Sequence, residues 1–329
     1  GYQSVGLVVS TTILNIFIEL SNTLFCYKKL SMKFSFRKFD FVLMKEMTVF
    51  SSYIFINMII DQINWNVDKY VIGRFRGTVA VAVYGIAAQL NNYYMSFSKA
   101  ISNVFIPKIH RMVASSNDNK ELTVLFTKIG RIQFIVLSLI CSGIIFFGRP
   151  FINMWAGADY DGSYPIALIL IIPGTISLCQ NIGIEIQKAK NMHQFRTWLY
   201  LFIAIGNLII SIPLTKIYGG IGAATGTSIA IIIGNVIIMN IYYHVKVGLD
   251  IKYYWKQILK FLPAFIAPAI VGTLIVLNVD LYLPSTFLGY GIIYVITFSV
   301  SMWVLGMNQY EKDLIIKPIN KIFKHRNNK

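Results

Sequence analysis

The stretch DQINWNVDKYVIGRFRGTVAVAVYGIAAQLNN, residues 61–92, joins the end of one apolar segment to the start of the next through a short charged turn. The spacing of Asp61, Asn64 and Asp68 places these residues on one stripe of a helix. An ionised aspartate at the centre of a bilayer costs about 2.5–3.5 kcal/mol, so we expect this stripe to face a bundle interior or a wet cavity. The alternative for Asp68 and Lys69 is a position at the outer interface, near the lipid headgroups.

The composition is that of a polytopic membrane protein, with a mean hydropathy of +0.61 and 56% apolar residues. The chain starts with glycine and shows no charged segment or cleavage site before its first apolar run, so we expect a piece that begins within a longer protein. Its three cysteines each stand alone in an apolar segment and predict buried thiols, with no metal site and no disulfide framework.

Nine stretches are apolar and long enough to cross about 30 Å of hydrocarbon as helices. We therefore predict an all-α protein, a polytopic transmembrane helix bundle. The predicted spans are 5–25, 48–72, 79–105, 124–147, 165–187, 197–217, 222–243, 258–279 and 286–305.

Lysine and arginine are distributed very unevenly between the two sets of connections. One set holds 23 basic residues and the opposite set holds 5, which explains most of the net charge of +16. Because cytoplasmic loops carry the excess of basic residues, residue 1 is predicted outside and the C-terminus inside the cell. The basic and aromatic segment 31–46 is predicted to lie on the cytoplasmic headgroups, and we expect no nucleic-acid partner.

No constellation of residues predicts catalysis. All four histidines fall in predicted cytoplasmic connections or in the tail, and none has carboxylates at the spacing of a metal site or a triad. The chain also lacks a Walker A sequence. Asp159 and Asp161 are the one acidic pair on an outer loop, and a solvated loop accounts for them. We therefore predict that the protein is not an enzyme and has no catalytic residue, metal site or cofactor.

Polar side chains inside the predicted spans are the better guide to function. Asn207 and Asn235 are expected to hydrogen-bond between helices. Lys99, Arg131 and Glu185 either extend to the inner interface or face the bundle axis, where cations would suit an anionic, sugar-bearing substrate. The candidate residues for a substrate cavity are Asp61, Asn64, Asp68, Lys69, Gln89, Asn92, Lys99, Arg131 and Glu185.

Three motifs together resemble the Wzx-type flippases of polysaccharide repeat units, a family of the multidrug/oligosaccharidyl-lipid/polysaccharide exporter superfamily. VDKYVIGRFRGTVAVAVYGIAAQL (67–90) is similar to the family's hallmark of an Asp, a basic residue and an Ile-Gly pair before a Gly/Tyr/Ala helix. PFINMWAGADYDGSYPIALIL (150–170) resembles its outer loop, and YGGIGAATGTSIA (218–230) resembles its Gly-Ala entry to a later span.

The resemblance implies a two-lobe exporter fold with about nine of fourteen spans present, as a C-terminal fragment. It divides the chain into four parts. These are a last span of the first lobe with an amphipathic linker (1–47), a second six-helix lobe (48–243), an extra helix pair (244–305) and a basic cytoplasmic tail (306–329).

The resemblance also implies a function. It is the flipping of undecaprenyl-pyrophosphate-linked oligosaccharides across the bacterial cytoplasmic membrane by alternating access, for O-antigen, capsule or related surface polysaccharides. The expected partners are a polyprenyl-linked oligosaccharide, membrane lipid and the polysaccharide polymerase machinery. A proton or sodium gradient is expected to bias the cycle, with Asp61 or Glu185 as the coupling site. The alternatives are a drug/cation antiporter or a lipid II flippase of the same superfamily.

Overall fold

A computed structural model describes residues 2–29, 40–115 and 118–326. The described residues form helices joined by short connections, and they contain no strand. The predicted all-α helix bundle is therefore confirmed. The described chain separates into two units, Gly1–Ser52 and Tyr53–Lys329, with the boundary inside one long helix.

The unit Gly1–Ser52 contains helix α1 (Tyr2–Lys29) and the beginning of α2 (Phe41–Ser115). The large apolar side chains that the structure describes on α1, from Val5 to Tyr27, are exposed, as expected for a helix that crosses lipid. Its last turn carries Lys28 and Lys29. Most of the segment 31–46, which was predicted to lie on the headgroups, falls outside the described residues.

The unit Tyr53–Lys329 contains the rest of α2 and ten further helices. These are α3 (Asn119–Ala156), α4 (Ser163–Leu178), α5 (Ile182–Ala189), α6 (His193–Tyr218), α7 (Gly220–Ile231), α8 (Met239–Tyr242), α9 (Ile251–Leu259), α10 (Ile266–Asn278), α11 (Pro284–Ser301) and α12 (Gln309–Arg326). Three π-helical segments, Ile232–Ile238, Tyr243–Val247 and Met302–Gly306, follow α7, α8 and α11.

Helix α2 replaces two of the expected connections. Between predicted spans 48–72 and 79–105 the structure has one non-helical residue, Gly77, with φ 81° and ψ 178°. A positive φ suits glycine because it has no Cβ, so the chain changes direction there without a loop. The connection between predicted spans 79–105 and 124–147 is also shorter than expected, because α2 continues through Pro107 to Ser115. We call the parts of α2 before and after Gly77 its first and second arms.

Seven helices of the described chain are long and apolar enough to cross a membrane, or eight if the bent pair α4–α5 is one span. The predicted number was nine. Part of the difference lies in α2, because the number seven counts Asn66–Ser115 once although the non-helical Gly77 divides it into two arms. Helices α4 and α5 meet at an angle of 44° around residues 179–181, which we call the break.

The largest cluster of buried apolar side chains lies where α3, α5, the segment after α8, and α9 meet, around Phe126, Ile182, Tyr243 and Tyr254. A second cluster joins the second arm of α2 to α3, α4 and α7. These two clusters hold the helices that surround the polar site described below.

Candidate functional site

A cavity of about 230 Å³ lies between the second arm of α2, the bent pair α4–α5, α6, and the span made by α7 and α8. Amide side chains are prominent in its lining, namely those of Asn91, Gln180, Asn181, Asn207 and Asn235. No aspartate or glutamate occurs among the described residues that line it. The cavity can therefore hydrogen-bond hydroxyl groups on several sides without repelling an anion.

Two cations line the same cavity. Lys99 lies on the second arm of α2 and is one of the residues predicted for a substrate cavity. Arg196 lies in the first turn of α6, and its guanidinium carbon is 4.5 Å from the centre of the Tyr200 ring. Arginine can bind two phosphate oxygens at once and lysine acts as a point charge, so together they suit a phosphorylated ligand.

A buried carboxylate lies behind one wall of the cavity. Asp68, on the first arm of α2, is 2% exposed. The Tyr84 hydroxyl donates a hydrogen bond of 2.7 Å to its Oδ2, and the Thr227 hydroxyl donates one of 2.8 Å to the same oxygen. None of the ion pairs between described residues includes Asp68. Two hydroxyls, rather than a cationic side chain, therefore hold this acid.

Hydrogen bonds connect Asp68 to the cavity. Thr227 lines the cavity, and its Oγ1 accepts a bond of 3.3 Å from the Asn207 amide, which lines it too. The Ser211 hydroxyl donates to Asn207 Oδ1 at 2.8 Å. This confirms the expected interhelical bond of Asn207, and Asn235 likewise accepts one from the Tyr200 hydroxyl.

The close packing of α6 and α7 makes this chain of bonds possible. A Cβ at Gly226 would overlap the Ser211 hydroxyl and come within 3.1 Å of the Ser211 Cα. The small residues of the 218–230 motif therefore bring Thr227 within reach of Asn207, because helices pack most closely where side chains are small.

The other predicted site residues of α2 are either outside the described side chains, half-buried or exposed. Asp61 and Asn64 lie on α2, but their side chains are outside the part of the chain that the structure describes. Lys69 is half-buried next to Asp68 in sequence. The exposed Gln89 amide donates to the Tyr93 hydroxyl at 2.8 Å, and Asn92 is also exposed.

Glu185 has a local partner. Its carboxylate accepts a bond of 2.9 Å from Lys188, one turn further along α5. It does not belong to the cavity lining in the described chain. The structure thus places Glu185 in an ion pair on its own helix rather than in the cavity lining.

Arg131 does not line this cavity either. Its guanidinium is buried and forms an ion pair with Glu311, with bonds of 2.5 Å and 2.9 Å to the two carboxylate oxygens. It also donates to the backbone oxygens of Gln257 and Gly306 and lies 4.2 Å from the centre of the Phe261 ring. In place of a cationic vestibule, Arg131 joins α3 to α9, to the end of the span containing α11, and to α12.

Sequence reasoning missed Tyr84, Thr227 and Arg196. Tyr84 and Thr227 were included in helices made mainly of small residues, and Arg196 was counted with a basic cytoplasmic connection. A signal was present for Thr227, because Asn207, Ser211 and Thr227 are hydroxyl or amide residues within two consecutive apolar spans. The pairing of these spans with Asp68, 159 residues away from Thr227, is visible only in the folded chain.

Comparison with known proteins gives the family. No curated protein and no solved structure matches the chain. A family model described as "Polysaccharide biosynthesis protein" matches residues 1–165, just over half of the 329 residues. The match and the seven or eight described helices that are long and apolar enough to cross a membrane point to a transporter-like protein concerned with polysaccharide synthesis rather than to a catalytic one. The chain belongs to this family of polysaccharide biosynthesis proteins.

Proposed function

We propose that the protein flips polyprenyl-linked oligosaccharide repeat units across the bacterial cytoplasmic membrane by alternating access, with its C-terminus in the cytoplasm. The observation that carries the proposal is the lining of the cavity. Lys99 and Arg196 would bind the phosphate groups, and the amides would bind sugar hydroxyls, while the lipid tail stays in the bilayer. An acid-free lining that contains two cations is less suited to a cationic drug.

The function is tested by complementation. The gene is expressed in a bacterium that lacks its own repeat-unit flippase, and polysaccharide on the cell surface is measured. We expect the wild-type protein to restore the polymer and the double variant Lys99→Met and Arg196→Met to lose it. Lys252→Met is the matched control, since Lys252 is exposed and does not line the cavity in the described chain.

Three outcomes would contradict the proposal. Resistance to cationic dyes without any polymer would assign the protein to the drug/cation antiporters. Rescue of cells depleted of their lipid II flippase, without polymer, would make lipid II the substrate. A double variant that restores the polymer as well as the wild type does would remove the two cations from the binding site.

We also propose that Asp68 is the coupling site for a proton or sodium ion, in place of Asp61 or Glu185. A carboxylate buried without a cationic side chain must either carry a proton or hold a cation, because burying an unpaired charge is very costly. The two oxygens that contact it belong to the hydroxyls of Tyr84 and Thr227, and hydroxyl oxygens are suitable ligands for a hard cation. Thr227 would transmit the change in charge to the cavity wall.

The coupling proposal is tested by measuring transport in proteoliposomes with imposed gradients. Wild-type transport should respond to a proton or a sodium gradient, and Asp68→Asn should abolish that response. An Asp68→Asn protein that still responds would exclude Asp68 as the coupling site. An unaltered response in Glu185→Gln is expected, since Glu185 is paired with Lys188.

A further inference from the structure

The break between α4 and α5 leaves backbone oxygens without their usual helical partners. The backbone N–H groups of Gln180 and Asn181 donate to the backbone oxygens three residues earlier, those of Ser177 and Leu178, as in a 3₁₀-helix. The side chains of Gln180 and Asn181 line the cavity. Within a membrane no water can bond to an unsatisfied backbone group, so a break needs donors from neighbouring helices.

One of these donors comes from α9, a helix outside the set that encloses the cavity. The Tyr254 hydroxyl donates to the backbone oxygen of Cys179 at 3.2 Å. Tyr254 is fully buried, and it reaches the break across Gly130 of α3. A Cβ at Gly130 would lie 2.5 Å from the Tyr254 ring and 2.9 Å from the Cys179 oxygen. The absence of a side chain at Gly130 therefore leaves the space on the surface of α3 that this hydrogen bond needs.

The next residue of α9 reaches the break by a second route. The Trp255 indole N–H donates to Asn240 Oδ1 at 3.1 Å. Asn240 and Gln180 exchange two bonds, with Gln180 Nε2 donating at 2.8 Å and Asn240 Nδ2 donating at 3.1 Å. Asn240 lies in α8, between two π-helical segments. Two consecutive residues of α9 thus stabilise the break. Tyr254 bonds its backbone at Cys179, and Trp255 bonds the side chain of Gln180 through Asn240.

We propose that Tyr254 and Trp255 are positioning residues for transport, which fix the break so that Gln180 faces the substrate cavity. Helix α9 would thereby control the shape of a cavity that it does not line. The expected effect on transport rests on the proposed function. The expected effect on the structure of the break does not. The pair acts through Cys179 and Asn240 and does not touch the substrate.

The chain contains a reporter for the break, because Cys179 is one of its three cysteines and is 1% exposed. In a background with Cys26→Ala and Cys141→Ala, the rate at which N-ethylmaleimide alkylates Cys179 reports opening of the break. Tyr254→Phe should raise this rate about fivefold, the factor that corresponds to losing one net hydrogen bond. Trp255→Phe should also raise it, through Asn240.

Two matched controls test the assignment. Tyr253→Phe removes a hydroxyl from an exposed neighbour on the same helix, and Trp198→Phe changes an exposed tryptophan on α6. Both should be alkylated at the wild-type rate. If Tyr254→Phe and Trp255→Phe also react at the wild-type rate, or if the controls react as fast as they do, the proposal is overturned. Should Tyr254→Phe fail to yield monodisperse protein, Trp255→Phe decides the question.

Transport separates positioning from a merely structural role. At equal amounts of folded protein, Tyr254→Phe and Trp255→Phe should raise the KM for the lipid-linked oligosaccharide, because Gln180 is displaced in the cavity wall. Unchanged KM in both variants would overturn the positioning role. The two proposals can fail separately. If the wild type flips no glycolipid but Cys179 is still alkylated faster in Tyr254→Phe and Trp255→Phe, the proposed function is refuted and the role of α9 in holding the break stands.

Discussion

Arg131 and Glu311 lie 180 residues apart in sequence, and their side chains form a two-point ion pair with each residue 3% exposed. Glu311 also accepts from the backbone amide of Asn308, and Asn308 Oδ1 accepts from the amide of Glu311. This reciprocal pattern is a capping box at the start of α12. The Glu311 carboxylate thus takes part in the N-terminal cap of α12 and also joins this helix to α3 through Arg131.

Removing one member of this pair should destabilise the protein strongly. We expect Arg131→Met to lower the free energy of unfolding by about 3–5 kcal/mol, because it leaves Glu311 as an uncompensated buried charge. Unfolding of the purified protein in detergent measures the loss. The double variant Arg131→Met and Glu311→Leu should recover most of it, since apolar residues often replace a buried ion pair without cost. Equal stability of Arg131→Met and the wild type would contradict this role.

The exposed ion pair between Arg149 and Asp161 should behave differently. Hydrogen bonds from Arg149 hold the pKa of Asp161 below its ordinary value of 3.8. A lowered folded-state pKa contributes stability that is present above that ordinary value and is lost as the pH falls through the lowered one. The contribution is small because water screens the exposed pair.

The measurement for this pair compares the melting temperatures of the wild type and Asp161→Asn. We expect a slightly lower value for Asp161→Asn at neutral pH and a difference that shrinks below pH 3.8. A difference that grows on acidification would show that the carboxylate is stabilised in its protonated form.

Thr227→Val should impair ion coupling. The substitution keeps the shape of the side chain and removes the hydroxyl that donates to Asp68. A hydrogen bond to a charged group contributes about 1.5–3 kcal/mol, so we expect the affinity for the coupling ion to change by about tenfold or more. It should rise for a proton, because the lost bond favours the ionised carboxylate, and fall for sodium, because a ligand oxygen is lost. Transport measured as a function of ion concentration gives the shift.

Thr225→Val is the control for this experiment. Thr225 lies on the same helix, is half-buried, and its hydroxyl donates to the backbone oxygen of Ile221. Its ion dependence should match that of the wild type. Equal shifts in the two variants would attribute the effect to α7 as a whole and not to the Asp68 bond.

Gly226→Ala should push α6 and α7 apart. The new Cβ meets Ser211, and overpacking of this kind typically costs about 1–3 kcal/mol. It should also weaken transport, because the bond between Asn207 and Thr227 spans the same two helices. Gly206→Ala on α6 is the matched control, since a Cβ there has no neighbour within 4 Å. If Gly206→Ala were the more destabilising of the two in thermal unfolding, the close-packing argument would fail.

Hydropathy predicted the helical architecture well, because a membrane imposes segments of about 20 apolar residues and leaves few alternatives to a helix. It did not predict how α2 passes Gly77, since one glycine with a positive φ can replace a turn while leaving the composition unchanged. It also did not predict the π-helical segments, which carry no sequence signature beyond apolar residues.

The polar site was predictable only in part. Asp68 and Lys99 were chosen as candidates because charged residues in apolar spans are costly and rare. The ion pair of Arg131 was not foreseen because its partner Glu311 lies in a segment that composition marks as a basic tail. The same limit applies to Tyr254 and Trp255, whose hydrogen bonds to distant helices depend on packing rather than on local sequence.

The π-helical segment Ile232–Ile238 gives this span an unusual tolerance to one change in length. A π-turn accommodates one residue more than an α-turn, so deleting Val236 would let the segment relax into an ordinary helix, with Asn240 still turned towards Gln180. A residue deleted from an α-helical part of the span would instead rotate everything beyond it by about 100°, the angle per residue of an α-helix, and the alignment of Asn240 with the break would be lost. The π-helical segment is therefore the place in this span where one residue can be removed without changing which side chains face the break.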